Sequence, residues 1–394
     1  MRAVRVLTVH NRYLYWGGED ESHQAQVRLL REYGHDVDVL LEDNARLVEL
    51  GRLRAAGTTV WSTEGYGKVR QVLRRQRYDV VELHNTFPLI SPSAYYAARA
   101  EGVPVVQVLH NYRLVCSSAN LFRDGRVCEE CVGRSVPWPG VVHRCYRGSA
   151  AASAVVAAML TVHRALATWQ RAVDLYITPT EFARQTLIRG GLPPAKLAVR
   201  PHFVHPDPGP GAHRGGYALF VGRLAPEKGV ASLLAAWQQP GVNVPLKLVG
   251  DGALAASVAA AAARVPGIEW LGARRRAEVD ELMGEASFLV LPSEWYETFG
   301  LVAIEAYAKG TPVLAARIGA VAEVVQHGST GLLFEPGNPA ELAAAVAWAS
   351  SHPRELVAMG DRARDVYATK FTAERNYART LELYERVIAE SSRN

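Results

Sequence analysis

Two glutamates, Glu297 and Glu305, stand in the segment Trp295-Tyr296-Glu297-Thr298-Phe299-Gly300-Leu301-Val302-Ala303-Ile304-Glu305. It follows the apolar run Phe288–Leu291, which reads as a buried strand, and leads into a helical pattern through Tyr307 and Lys309. A strand, a glycine-bearing loop and a helix start form a site for phosphate. Unpaired N–H groups and the positive end of the helix dipole point at the anion, and Gly300 lets the backbone come close. At a rise of about 1.5 Å per residue, Glu305 stands about 8–9 Å from the helix start, near the separation of a pyrophosphate from its ribose. One carboxylate then meets the group beyond the phosphates and the other accepts ribose hydroxyls. The alternative is an ordinary strand–helix unit with two solvated glutamates.

Two further loops share this character. Gly222-Arg223-Leu224-Ala225-Pro226-Glu227-Lys228-Gly229 follows the strand-like Tyr217–Val221, and Arg223 and Lys228 bracket a turn where both can converge on one anion. Leu246–Val249 reads as a third buried strand and ends in Gly250-Asp251-Gly252, whose glycines permit close approach to a flat ring or phosphate. All three loops sit at carboxyl ends of strands, where open α/β sheets bind ligands.

At these residues the chain resembles the retaining glycosyltransferases of family 4, which have the GT-B fold: two Rossmann-like α/β domains facing across a cleft. The resemblance covers nearly the whole chain and is strongest from Tyr217 to Glu335, where Gly-Arg-Leu-x-x-Glu-Lys-Gly, Gly-Asp-Gly and the Glu297/Glu305 pair occur in family order. It implies that Arg223 and Lys228 neutralise a donor diphosphate, that Glu297 contacts the transferred sugar, and that Glu305 holds the ribose. Backbone around Thr298, Phe299, Gly300, Leu301 and Val302 would bind the phosphates, with Gly250 and Asp251 on the donor side. The donor is a nucleoside-diphosphate sugar, UDP favoured and GDP the alternative. The acceptor is a saccharide, a lipid-linked sugar or a small natural product. Transfer with retention is expected, without a catalytic metal ion. The rival readings are a nucleotide-sugar 2-epimerase of the same architecture and a non-catalytic nucleotide-sugar-binding subunit.

Three features of the first half carry chemistry. Trp16-Gly17-Gly18-Glu19-Asp20 lies between the first strand and a helix containing His23, Val27 and Leu30, and its two glycines make either an anion-approach loop or a simple tight turn. The resemblance assigns Gly17 and Gly18 to the donor diphosphate. Glu19 and Asp20 suit acceptor hydroxyls, or as first-turn acids merely complement the helix dipole. His110 ends the strand Val105–Leu109 and is expected to contact a sugar hydroxyl or assist proton movement. His84-Asn85, after Val80–Leu83, is expected on the acceptor side. Cys116, Cys128, Cys131 and Cys145 are the only cysteines, spaced C-x11-C-x2-C-x13-C within the Cys-rich segment 112–147. That spacing suits a closed structural zinc site, with His143 as a substitute ligand. A disulfide and plain thiols are the alternatives.

These residues need strands and helices to hold them, and the chain supplies both in alternation, the mark of an α/β protein with parallel sheets. With 394 residues, two domains of about 190 residues each are expected. The proline-rich stretch 200–211 can be neither helix nor central strand and reads as the linker. The expected division is 1–205, 206–372, and a C-terminal helix, 373–394, returning to the first domain, as in proteins of the resembled family. The candidate strands of the first domain are Val4–Val9, Val37–Leu41, Val80–Leu83, Val105–Leu109 and Leu175–Ile177. Those of the second are Tyr217–Val221, Leu246–Val249, Ile268–Leu271, Phe288–Leu291, Val313–Ala315 and Gly331–Phe334.

A net charge of +5 is mild, and the motifs and aromatic interleaving of a nucleic-acid binder are missing. The basic runs Arg74-Arg75-Gln76-Arg77 and Arg274-Arg275-Arg276 read as solvated helix faces, or as attraction for a phosphorylated acceptor or an anionic membrane surface. At most peripheral membrane contact is expected, in the cytoplasm or at the inner face of the membrane. Asp36-Val37-Asp38 resembles a metal-binding D-x-D but opens a strand far from the phosphate loops, and is set aside.

Overall fold

A computed structural model describes residues 3–14 and 17–393. The chain divides into two compact units: residues 1–121, 129–200 and 376–394 form the first, and 122–128 with 201–375 form the second.

The first unit is built on six strands: β1 (Arg5–Arg12), β2 (Asp36–Asp43), β3 (Val80–Leu83), β4 (Val105–Val108), β7 (Leu175–Thr178) and β8 (Leu197–Val199). They pair in parallel in the order β2-β1-β3-β4-β7-β8. The strand order reverses between β1 and β3, so the loops after these two strands open the crevice where such sheets take ligands. Strands covered on both faces must be apolar throughout, and Val80, Val81, Leu83, Val105 and Val106 are fully buried. Helix α1 (Gly18–Glu32) follows β1, and at its N-terminus the Gly17 N–H donates to the Asp20 carboxylate.

The second unit holds β9 (Ala218–Val221), β10 (Leu246–Val249), β11 (Ile268–Gly272), β12 (Phe288–Leu291), β13 (Val313–Ala316) and β14 (Gly331–Phe334). Their parallel order, β11-β10-β9-β12-β13-β14, is the doubly wound Rossmann arrangement with its switch point between β9 and β12. Two apolar clusters cover the two faces of this sheet, one around Phe220, Phe288 and Leu248, the other around Leu219, Leu289 and Tyr307.

Three elements differ from the sequence-based expectation. Leu197–Val199 is a sixth strand of the first sheet, too short to show a period. Within the Cys-rich segment a small antiparallel hairpin, β5 (Phe122–Arg123) with β6 (Arg126–Val127), groups with the second unit, and Val127 packs on that unit's core. The alanine-rich helix α2 (Ala150–Ala165), which the sequence pattern carries on through Val162, Leu166 and Trp169, stops before Trp169 because Ala167 is left-handed and breaks it. No helix of the described residues is long and apolar enough to cross a membrane. From Asn376 onward the last helix, Ala373–Ser391, belongs to the first unit.

Candidate active site

In the second unit the loops after β9 and β12 meet at the switch point. The contact is backbone on backbone: Gly229 has φ +68°, and a Cβ there would stand 1.8 Å from the Pro292 carbonyl oxygen. The Glu294 N–H donates to the Glu227 carbonyl across 2.9 Å, and Ser232 donates to the Glu294 carboxylate across 2.6 Å. This joining places Lys228 beside Glu297. The ammonium donates to Glu297 Oε1 at 2.9 Å, the Ser293 hydroxyl donates to the same oxygen, and the Lys228 ammonium lies 5.3 Å from the centre of the Trp295 ring. Burial pushes the Glu297 carboxyl up, but the Lys228 charge and the hydrogen bonds outweigh it, so the group is held below the usual carboxylate range. Glu297 is therefore an ionised acceptor fixed in place. Arg223 is 60% exposed and pairs with Glu227 at 2.5 Å, a loose surface contact that leaves it able to swing.

At Gly250 and Gly252 the backbone comes close to the neighbouring loop. A Cβ on Gly250 would stand 1.9 Å from the Gly222 carbonyl oxygen, and one on Gly252 would stand 2.5 Å from that of Leu224. These glycines let the loop after β10 lie flat against the loop after β9. Asp251, exposed, turns its carboxylate onto the Gly252 N–H at 2.7 Å.

Gly300, φ +88°, is the N-cap of α3 (Leu301–Lys309), and no side chain caps that helix. Phe299 is core, packed edge-on against His202 and Phe371, so only its backbone is available to a ligand. Thr298 is half-buried beside it, as are Leu301 and Val302 in the first turn. Further along the helix Glu305 is ion-paired with Arg276, which also reaches Asp280 at 2.9 Å. Arg276 thus belongs to this site rather than to a solvated face. Its signal was positional: it begins a helix just past the carboxyl end of β11, on the edge shared by the other loops.

In the first unit four histidines cluster at the carboxyl ends of β1, β3 and β4. His10 stacks on His23 with ring centres 4.6 Å apart, His23 meets His84 edge-on at 4.6 Å, and His84 stacks on His110 at 5.1 Å. His110 is half-buried, whereas His84 is buried. Burial, followed by repulsion from neighbouring rings, lowers His23 to about 2. Burial likewise holds His84 below the ordinary histidine value, despite the carboxylate beside it.

The expected acceptor contacts fare unequally. His84 uses both ring nitrogens inside the protein, with Nε2 2.8 Å from Glu82 and Nδ1 2.8 Å from His110, so it has no nitrogen for a substrate. Asn85 is likewise committed: its amide donates to the Asn11 carbonyl at 2.7 Å and accepts from the Phe87 N–H at 2.9 Å. Asp20 spends one oxygen on His10 (2.9 Å) and the other on the Gly17 N–H (3.2 Å). Glu19 keeps the expected possibility. Tyr13 and Asn111 both donate to its Oε2 at 3.1 Å, while Oε1 is buried without a partner. Burial raises its carboxyl to about 7. Gly17 and Gly18 are at the start of α1, and a Cβ on Gly17 would meet nothing within 4 Å among the described residues, which do not include Trp16.

The four-cysteine zinc site is not assembled. Among the described residues no group of three or more His, Cys, Asp or Glu side chains is arranged to hold a metal ion. All four cysteines are thiols; Cys116 Sγ faces Ser118 Oγ at 3.2 Å, and Cys131 Sγ faces the Pro137 carbonyl at 3.9 Å.

Two parallel Rossmann-like sheets in one chain, with a glycine-welded crevice carrying Arg223 and Lys228 at the second switch point, define a GT-B protein. The description "Glycosyl transferases group 1" matches residues 210–366, and "Glycosyltransferase Family 4" matches residues 16–208. A D-inositol 3-phosphate glycosyltransferase of Pseudarthrobacter chlorophenolicus is 30% identical over 349 residues, 82% of this chain and 74% of that protein. An uncharacterized glycosyltransferase of Methanocaldococcus jannaschii is 34% identical over 171 residues, 43% of this chain. That match spans 48%, about half, of the relative's length. A crystal structure of Anabaena HepE in complex with UDP and glucose superimposes with a TM-score of 0.70 at 18% identity, over 97% of this chain and 100% of that one. The chain belongs to glycosyltransferase family 4.

Proposed function

We propose that the protein transfers a glycosyl group from a nucleoside-diphosphate sugar to a hydroxyl of a saccharide, lipid-linked or small natural-product acceptor, with retention at the anomeric carbon. The observation that carries this is the Lys228–Glu297–Ser293 cluster at the switch point of the second unit, beside the uncapped start of α3. A fixed cation and free helix N–H groups suit a diphosphate, and an ionised, immobile carboxylate next to them suits the hydroxyls of the attached sugar. UDP is the favoured nucleotide; HepE, of the same fold, is the protein crystallised with UDP and glucose.

In this reading the bond between the anomeric carbon and the β-phosphate oxygen breaks through an oxocarbenium-like state. Lys228, Arg223 and the first N–H groups of α3 take up the negative charge that develops on the leaving diphosphate. The acceptor oxygen bonds to the anomeric carbon on the face the phosphate leaves, and its proton passes to the departing phosphate oxygen. Glu297 holds sugar hydroxyls rather than attacking. Glu305 takes the ribose, with Arg276 moving off it. His110 and Glu19 serve the sugar and acceptor hydroxyls.

The test is the thermal shift of the wild type and of Glu305→Ala with UDP, GDP, ADP and dTDP. Stabilisation by one nucleotide that vanishes in the variant is expected. Stabilisation that is equal in both proteins would remove Glu305 from the pocket.

A further inference from the structure

Three arginines in a row, Arg274-Arg275-Arg276, lead into the helix Arg276–Glu285, which begins just past the carboxyl end of β11. A helix N-terminus carries the positive end of the dipole and disfavours cations, so these charges gain from a carboxylate close by. Arg274 and Arg275 share Glu278, in the first turn, at 4.0 and 3.0 Å. Arg276 turns elsewhere. Its Nε meets Asp280 at 2.9 Å, one turn along its own helix, and its Nη1 reaches out of that helix to Glu305 Oε1 on α3. Burial works against the Arg276 charge, but Glu305 and then Asp280 outweigh it and hold the guanidinium above the ordinary arginine value.

The Glu305 carboxylate has no other partner among the described residues. Its side chain is 15% exposed and that of Arg276 50%, so the carboxylate is the inner member of the pair and the guanidinium the outer one. A carboxylate that receives the two hydroxyls of a ribose uses both of its oxygens. One of them is already taken by Arg276. Guanidinium and diol therefore compete for Glu305, and a nucleoside reaches it in full only as Arg276 withdraws. Asp280 keeps that withdrawal from stranding the cation, because the contact at Nε lies within the helix and survives when Nη1 lets go.

We propose that Arg276 is a latch on the nucleoside site: it holds Glu305 until a ribose arrives, pivots on Asp280 to release it, and so sets the donor affinity by competition rather than by contact. The latch rests on the reading of Glu305 as the ribose carboxylate. Its consequence is opposite in sign to that of a binding residue. An arginine that contacts an anionic donor weakens binding when it is removed, whereas removing a latch strengthens binding. A half-exposed ion pair is a low barrier, so the competition amounts to about fivefold in affinity and leaves the site open to its donor.

The test is the dissociation constant of UDP and of inorganic pyrophosphate, measured by titration calorimetry on the full-length protein. Arg276→Ala should bind UDP about fivefold more tightly than the wild type, while pyrophosphate, which has no ribose, binds both equally. Asp280→Asn takes away the resting place and leaves Arg276 to Glu305 alone, so it should bind UDP more weakly than the wild type. Adding Arg276→Ala to Asp280→Asn should restore tight binding, because the two residues act through one contact. Arg276 is exposed and Asp280 half-buried, so melting curves without nucleotide should stay close to the wild type. If the wild type takes GDP or ADP in preference, that nucleotide replaces UDP throughout. Nucleotide bound equally or less tightly by Arg276→Ala would overturn the latch alone, as would a tightening that pyrophosphate shares. A wild type and an Arg276→Ala that both ignore UDP, GDP and ADP would overturn the nucleotide-sugar reading, and the latch with it.

Discussion

Lys228 Nζ lies 2.9 Å from Glu297 Oε1, and this one ion pair ties the loop after β9 to the loop after β12 across the switch point of the second sheet. Lys228 closes a short 3-10 turn whose next residue, Gly229, lies against Pro292, and Glu297 is pinned by Ser293 four residues earlier. The cation that would meet a diphosphate therefore also fixes the carboxylate that would meet the sugar.

Arg223→Ala and Lys228→Ala should separate catalysis from stability. Each is expected to lower kcat by about 10²–10³-fold, the cost of one cation at a developing oxyanion. Arg223 is mostly exposed and pairs only loosely, so its removal should change stability by less than about 0.5 kcal/mol. Lys228→Ala leaves the buried Glu297 charge uncompensated and should also cost roughly 3 kcal/mol. Steady-state kinetics and thermal melts read both. Normal turnover in either variant would end the charge-stabilisation mechanism.

Glu305→Gln should raise the donor KM by about tenfold or more while kcat falls less. In the proposed reading it removes charge-assisted hydrogen bonds to the ribose, worth roughly 1.5–3 kcal/mol, at a place distant from the reacting carbon. A kcat effect larger than the KM effect would place Glu305 at the chemistry instead.

Gly229→Ala and Gly17→Ala should behave oppositely. The first forces a Cβ to within 1.8 Å of the Pro292 oxygen at a positive φ, and a stability loss above about 2 kcal/mol is expected, with loss of activity as the loops part. At Gly17 φ is −151° and an added Cβ would meet nothing within 4 Å among the described residues, so the folded protein should accept alanine without a change in melting temperature. Activity lost at unchanged stability there would report a ligand coming close to that backbone. Full activity would withdraw Gly17 from the donor site.

Glu19 should make stability fall as pH rises. Its carboxyl is raised to about 7 from the usual 4.5, so between those values the folded protein holds a proton that the unfolded chain has released. Stability from this group is therefore whole below about pH 4.5 and is lost as pH climbs through 7, a swing of up to roughly 3 kcal/mol. Glu19→Gln should flatten that slope in melts taken from pH 4.5 to 8. An unchanged slope would mean that Glu19 is ionised in the folded protein.

Much of the architecture could be read from the chain alone. Parallel strands covered on both faces must be continuous apolar runs, so Val105–Val108, Phe288–Leu291 and their neighbours announced themselves. Glycines and charges at the carboxyl ends of those runs marked the loops around Arg223, Lys228, Glu297 and Glu305, because anion sites are local in sequence: a strand, a turn and a helix start suffice. Leu197–Val199 was too short for any pattern, and the hairpin at 122–127 gave no signal that it would pack with the other unit.

Only the tertiary structure decided which side chains meet. Glu82 lies 118 residues from Arg200 and 302 from Tyr384, and nothing local connects them. Its one legible trace was a charge inside a buried strand, which is stable only when a partner arrives from elsewhere. In the same way His84, Asn85 and Asp20 looked available for an acceptor until packing gave each of them internal partners, and Arg276 looked solvated until the fold laid it on Glu305. Sequence alone determined the elements and the loops that could bind an anion, because propensity, patterning and turn chemistry act over a few residues. Hydrogen bonds and burial between distant segments assigned the roles, because they exist only once the sheets have brought those segments together.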